Sequence, residues 1–273
     1  MPAYLDTILV AHRAAAAADG RAVAATVEAA ERELDARRGL DGPDGPRDFV
    51  AALESGRAAR GMAVISEIKR RSPSKGDLDP TLEPAAVAAD YEAGGASCLS
   101  VLTDEAFFGG SRSDLEAARA ACTLPVLRKD FTVGPLDVCD ARLMGADAVL
   151  LIVAALDDTE LAGLLGLART LDLAPLVEVH DEPELDRALA AGADLIGVNQ
   201  RDLRTFEVDR ERALRMGERM PEGVVAVAES GIRGAADVER LASVGYTAVL
   251  VGETLVRSTD RSSAVDGLLG IRT

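Results

Sequence analysis

GADAVLLIVAALDDTELAGLLGLARTLDLAPLVEVHDEPELDRALAAGADLIGVN (145–199) repeats a single unit. Each copy carries a short apolar run and then a longer stretch with amphipathic, helical spacing. The runs 148–153, 175–179 and 195–198 are almost continuously apolar, which marks strands buried on both faces. The stretches 158–171 and 182–191 read as helices between them. Gly-Ala-Asp stands at 145–147 and again at 192–194, each time just before a strand. A glycine suits the end of a helix because it can take the left-handed turn that stops it.

The rhythm continues in both directions. Runs at 63–68, 98–102 and 125–127 precede the segment, and runs at 224–228 and 248–251 follow it, making eight. Helical patterns at 83–93, 113–121, 135–144, 210–220 and 235–243 alternate with them, and Gly95-Ala96 and Gly245-Tyr246-Thr247 repeat the turn. Strands separated by helices pair in parallel. Eight such units in about 190 residues predict an α/β fold, a (β/α)8 TIM barrel. The rival, a doubly wound open sheet, would carry a Gly-rich dinucleotide loop after its first strand, and none is present. Residues 1–60 fall outside the repeat. They read as helices over 6–18, 21–38 and 48–55, with a Gly/Pro loop at 39–46. The expectation is one domain over 1–273, with an N-terminal helical extension (1–60) and the barrel (61–273).

The chain has 273 residues, 48% of them hydrophobic, enough for a single large core. A net charge of −16 argues against nucleic acid and anionic membranes as partners. No uncharged apolar stretch of about 18 residues exists to span a membrane, and the opening MPAYLDTILVAHR lacks the form of a signal peptide. Cys98, Cys122 and Cys139 are odd in number and show no CxxC spacing, so buried reduced thiols in a cytoplasmic protein are expected. Of 30 Lys and Arg residues only three are lysine: Lys69, Lys75 and Lys129. Where arginine serves every generic need for a cation, a retained lysine points to chemistry that arginine cannot do, such as giving up a proton.

Barrels of this kind hold their chemistry at the C-terminal ends of the strands, and here those ends are loaded. The first runs into Glu67-Ile68-Lys69, whose two charged residues share one strand face. The third runs into Arg128-Lys129-Asp130-Phe131, the fifth carries Glu178, and the sixth ends in Asn199-Gln200-Arg201. The seventh ends in Glu229-Ser230-Gly231 and the eighth in Gly252-Glu253-Thr254. So many charges at one end of an apolar barrel must pair or serve chemistry. The Gly-bearing loops after strands seven and eight suit a phosphate, with Ser72 and Ser74 as further donors. His12 and His180 have no metal-ligand spacing, and His180 reads as a loop or pocket-rim residue. Residues 210–219, where Arg alternates with Glu, read as a solvated helix face.

EIKRRSPSKG (67–76), LSVLTDEAFFGGS (99–111), LRKDF (127–131), LVEVH (176–180), GVNQRDL (197–203), AESGI (228–232) and LVGETL (250–255) together resemble the indole-3-glycerol-phosphate synthase family. The resemblance covers the barrel and the N-terminal extension. It implies a carboxy-lyase of tryptophan biosynthesis acting on 1-(2-carboxyphenylamino)-1-deoxyribulose 5-phosphate, by ring closure and loss of CO2 and water. It implies no cofactor and no metal, a small phosphorylated substrate as the only partner, and a monomer is expected. Carried over by motif, Lys129 is the general acid for ring closure, and Glu178 is an acid/base partner in the dehydration. Lys69 holds the substrate carboxylate or acts in proton transfer, and Glu67 orients Lys69. Asn199 and Arg201 line the site and Glu229 and Ser230 complete it. Ser72, Gly231 and Gly252 belong to the phosphate end, and Phe107, Phe108 and Phe131 are candidates to pack the anthranilate ring. Lys75 is expected to steer or cover the substrate. A lysine acting as the acid is expected to be pushed toward neutrality. The extension is expected to cover part of the barrel mouth.

Overall fold

The computed structural model describes residues 4–40, 44–73 and 75–270; Ser74, named above as a candidate donor, lies outside them. Eight parallel strands close into a barrel in sequence order, with strand one paired to both strand two and strand eight. They are strand one Ala63–Ile68, two Cys98–Leu102, three Val126–Lys129, four Ala148–Ile152, five Ala174–Val179, six Leu195–Asn199, seven Val225–Glu229 and eight Ala248–Val251. Nearly every residue in them is buried, as continuous apolar strands under an outer ring of helices require. Strands three, six and seven run one or two residues further than the apolar pattern indicated. Lys129, Asn199 and Glu229 are therefore the last residues of strands rather than loop residues, and the rigid sheet fixes their side-chain directions.

The recurring glycine has one structural cause. Gly95, Gly145, Gly192 and Gly245 all take a left-handed φ, between 83° and 96°. The residue after each donates its N–H five residues back: Ala96 to Tyr91, Ala146 to Ala141, Ala193 to Ala188 and Tyr246 to Leu241. Each glycine donates three residues back, which completes a Schellman cap. The cap turns the chain sharply inward, and strands two, four, six and eight start two or three residues later.

Three helices precede the barrel: α1 (Tyr4–Ala18), α2 (Val23–Arg38) and α3 (Phe49–Arg60). Helix α3 ends by design, since Asp48 caps its start and Gly61 its end. It packs Phe49 and Leu53 beneath the barrel, where Arg57 reaches Thr247 at the start of strand eight. Helix α1 lies at the opposite end. Tyr4 contacts the rings of Phe107 and Phe206, at 6.0 and 5.1 Å between centroids. His12 Nε2 is 2.9 Å from Asp104, and Arg13 donates to Glu160 and to the Ala155 carbonyl. The extension thus ties down the loops after strands two, four and six. Among the described residues, no helix is long and apolar enough to cross a membrane.

Candidate active site

The mouth at the C-terminal ends of the strands holds a cavity of about 630 Å³, within the usual size of a small-molecule site. Thirteen of the residues proposed for catalysis or binding line it: Glu67, Lys69, Ser72, Phe108, Lys129, Phe131, Glu178, Asn199, Arg201, Glu229, Ser230, Gly231 and Gly252. Lys75 lines it too, from a short antiparallel ribbon of Arg71–Ser72 and Gly76–Asp77. Phe107 is absent from the lining; its ring turns to Tyr4 in α1 and braces the extension instead.

Lys129 is the centre of the charged floor. Its Nζ donates to Glu178 Oε2 at 2.9 Å and to Glu229 Oε2 at 2.6 Å. Both carboxylates are nearly fully buried, with side chains 2% exposed. Glu178 also accepts from Asn199 Nδ2 at 3.2 Å, and the Asn199 side-chain oxygen Oδ1 accepts from the Arg201 backbone N–H at 3.0 Å. Across the barrel, Lys69 donates to Glu67, the expected neighbour on one strand face. Two glycines make room for these carboxylates. A Cβ at Gly252 would lie 2.3 Å from Glu67 Oε1, and one at Gly197 would lie 2.1 Å from Glu229 Oε1. That Glu229 oxygen is buried and has no hydrogen-bond partner among the described residues, so contact with Gly197 and the bond to Lys129 set its place.

The electrostatics correct one expectation. Burial alone would lower Lys129, but Glu178, Glu229 and Glu67 override it, and the lysine is raised above its ordinary range rather than pushed toward neutrality. The two carboxylates are driven apart. Burial pushes Glu178 up, yet Lys129 and His180 hold it well below the usual carboxylate range. In Glu229, burial and the charge of Glu178 outweigh Lys129 and raise it to about 7. A pair split in this way has one member held ionised and the other able to hold a proton near neutrality.

At the other side of the mouth, Ser230 adopts a left-handed φ of 63°, unusual for a non-glycine residue, and Gln200 Nε2 holds its carbonyl at 2.7 Å. Thr254 reaches from the loop after strand eight to the Ile232 carbonyl and joins the two Gly-bearing loops. Gly252 precedes the short helix Glu253–Val256, whose first amides have no acceptor within the helix. Arg233 and Arg257 line this side and add positive charge that the motifs did not single out. The rings of Phe108 and Phe131 lie 6.2 Å apart between centroids, tilted by 39°.

Several residues escaped the sequence reading. Arg210 lines the cavity and Arg212 donates to the Asn199 carbonyl at 2.9 Å, so the 210–219 helix is not solely a solvated face. His180 is mostly buried behind Glu178 and does not lie on the cavity rim. His12, Asp104 and Asp130 meet within 4.8 Å, from three distant stretches of chain. Their oxygens are engaged, since Asp104 caps Phe107 and Phe108 and Asp130 accepts from Thr103 and Arg128. A cation there would have to break that network, which fits a polar clamp on α1 better than a metal site.

Comparison with known proteins agrees with this architecture. The family model described as indole-3-glycerol phosphate synthase matches residues 14–268. Indole-3-glycerol phosphate synthase 2 of Streptomyces coelicolor is 54% identical over 224 residues, covering 82% of this chain and 85% of that protein. Indole-3-glycerol phosphate synthase of Mycolicibacterium gilvum is 49% identical over 265 residues, covering 97% of this chain and 93% of that protein. Among solved structures, a 3-hexulose-6-phosphate synthase superposes with a TM-score of 0.58 at 21% identity, over 76% of this chain and 98% of its own. A thiamine phosphate pyrophosphorylase from Pyrococcus furiosus does so at 0.58 and 17% identity, over 77% and 95%. These two show the barrel fold alone.

Proposed function

The chain belongs to the indole-3-glycerol phosphate synthase family, a family of carboxy-lyases in tryptophan biosynthesis, and from that premise we propose how its cavity closes an indole ring. The observation that carries the proposal is Lys129, held by two buried carboxylates on the cavity floor at the ends of the strands.

The substrate, 1-(2-carboxyphenylamino)-1-deoxyribulose 5-phosphate, carries roughly −2.5 to −3 charge. Its phosphate sits against the amides of Ser230-Gly231 and Gly252-Glu253, with Ser72 as a further donor and Arg233 and Arg257 nearby. Its aromatic ring packs against Phe108 and Phe131, and Lys69 holds the ring carboxylate. The ring carbon bearing that carboxylate attacks the ribulose carbonyl, and negative charge develops on the carbonyl oxygen. Lys129 delivers its proton there. A lysine with a raised pKa still serves, because the alkoxide it protonates is a stronger base than the amine left behind. CO2 then leaves with its bonding electrons returned to the ring. Finally the former carbonyl oxygen departs as water while Glu178 takes a proton from the adjacent carbon, which makes the indole. Lys69, ion-paired with Glu67, is placed to assist the departing hydroxyl. Glu229 fixes Lys129 in place for that transfer. General acid–base help of this kind contributes about 10²–10⁴-fold per group. The buried free thiols fit a reducing, cytoplasmic setting.

Incubation with the carboxyphenylamino substrate is expected to release CO2 and develop indole fluorescence. Folded protein that yields neither overturns the proposal, as does a lysine adduct trapped by borohydride, which would indicate Schiff-base chemistry.

A further inference from the structure

Glu178 uses one carboxylate oxygen for Lys129. The other, Oε1, faces Asn199 and also the His180 ring, whose Nε2 lies 3.3 Å away. His180 follows two residues after Glu178, so the strand period puts both on the same face. The helix Glu182–Ala190 begins just beyond, and Glu184 in its first turn reaches back. Glu184 Oε2 accepts from the His180 backbone N–H at 2.7 Å and lies 3.0 Å from Nδ1. Glu184 is itself anchored, because Asp181 caps this helix by accepting the Glu184 N–H at 2.9 Å.

Each ring nitrogen therefore faces a carboxylate. A neutral imidazole has one N–H and one lone pair, so one of its nitrogens would turn a lone pair onto a negative oxygen. Only the imidazolium is attracted to both carboxylates: it can donate from Nδ1 to Glu184, while Nε2 meets Glu178 as a charge contact at 3.3 Å without the alignment of a hydrogen bond. We infer that His180 is a positioning residue: clamped by Glu184 as an imidazolium, it orients the Glu178 carboxylate and keeps it a base. The inference rests on the acid/base role proposed for Glu178. Burial opposes the charged ring, yet Glu178 and Glu184 raise His180 to about 10. The other charged groups that face this pair are Lys129 from strand three, Glu229 from strand seven and Asp202 from the loop after strand six. Lys129 is thus the second cation on Glu178, and it is the one that loses its charge when it protonates the substrate. His180 does not. It supplies the positive charge that keeps Glu178 ionised for the later proton abstraction.

The test compares His180→Gln, Glu184→Gln and Glu178→Gln in the full chain, with kcat and KM measured over roughly pH 3–9, because the limb starts below the usual carboxylate range. Gln keeps a donor near Glu178 but removes the charge. An opposite charge this close depresses a carboxylate by about one to three pH units. The acid limb of kcat is therefore expected to move up by about that much in His180→Gln, with KM within about two-fold and rate recovered at higher pH. Glu184→Gln, which leaves the ring in place, is expected to move the limb the same way by less. A purely structural role would lower thermal stability and scale kcat evenly across pH. If the limb stays put in both variants while Glu178→Gln is inactive, the inference is overturned and the role of Glu178 stands. If Glu178→Gln keeps nearly full activity, the role of Glu178 itself fails.

Discussion

Gly197→Ala adds one methyl group and touches nothing in the backbone ladder, yet it is expected to disable the enzyme. Gly197 lies in strand six beside Glu178, and its φ is not in the left-handed region, so alanine brings no backbone strain. The new Cβ would stand 2.1 Å from Glu229 Oε1, 3.2 Å from its Cδ and 3.3 Å from Leu176 Cδ1. A carbon and an oxygen need about 3 Å or more, so the carboxylate must retreat by roughly 1 Å. That oxygen has no hydrogen bond to hold it, and its partner oxygen would pull away from Lys129, now 2.6 Å distant. A displacement of about 1 Å in a catalytic array costs on the order of 10²-fold in rate. Overpacking is expected to lower stability by about 1–3 kcal/mol. Steady-state indole fluorescence gives kcat and KM, and thermal unfolding gives the stability change. The expected result is a kcat loss near 10²-fold with KM little changed. Unchanged kcat in Gly197→Ala would show that the Glu229–Lys129 contact does not matter to the chemistry.

Lys129→Arg keeps the positive charge but not an amine able to release its proton; kcat is expected to fall by about 10²–10⁴-fold with normal unfolding, and near-normal turnover would remove Lys129 as the acid. Leu151→Ala empties a fully buried position in strand four and is expected to cost about 2–5 kcal/mol in urea unfolding; a loss within experimental error would contradict the packing described. The His12–Asp104 contact that ties down α1 makes its docking pH-dependent. Burial opposes charge on His12, but the bond to Asp104 and the charges of Asp130 and Asp137 raise it overall. The contribution is complete below the ordinary histidine range and fades as pH rises through the raised value. Hydrogen exchange in α1 is therefore expected to be slower near pH 6 than near pH 9 relative to the barrel, a difference that His12→Ala abolishes; equal behaviour of the two proteins would refute it.

What could be read from the sequence divides along a physical line. Strand positions and the charged strand ends were visible because period and burial are local properties, and Glu67, Lys69, Lys129, Glu178, Asn199 and Glu229 do meet in one cavity. Whether each performs its assigned step is a separate matter for the variants above. Residues that act through distant neighbours were invisible. His12 and Asp104 are 92 positions apart, and nothing local marks either as one half of a clamp. Gly197 looks like any glycine in an apolar run until Glu229, from the next strand, is laid against it. His180 was set aside for lack of ligand spacing, although its partners are a strand neighbour and a helix-capping turn. The expectation of a near-neutral lysine failed for a related reason: the sequence shows that carboxylates lie near, but only the folded barrel shows two of them bonded to the same amine.

The most direct test of the account is a crystal structure with a substrate analogue whose ribulose carbonyl is reduced to the alcohol, so that the ring cannot close. The account predicts that oxygen within about 3 Å of Lys129 Nζ, the ring carboxylate at Lys69, the aromatic ring against Phe108 and Phe131, and the phosphate at Ser230-Gly231 and Gly252-Glu253. An analogue bound in the opposite sense, or one whose alcohol oxygen lies beyond reach of Lys129 while Lys129 stays locked between Glu178 and Glu229, would contradict it.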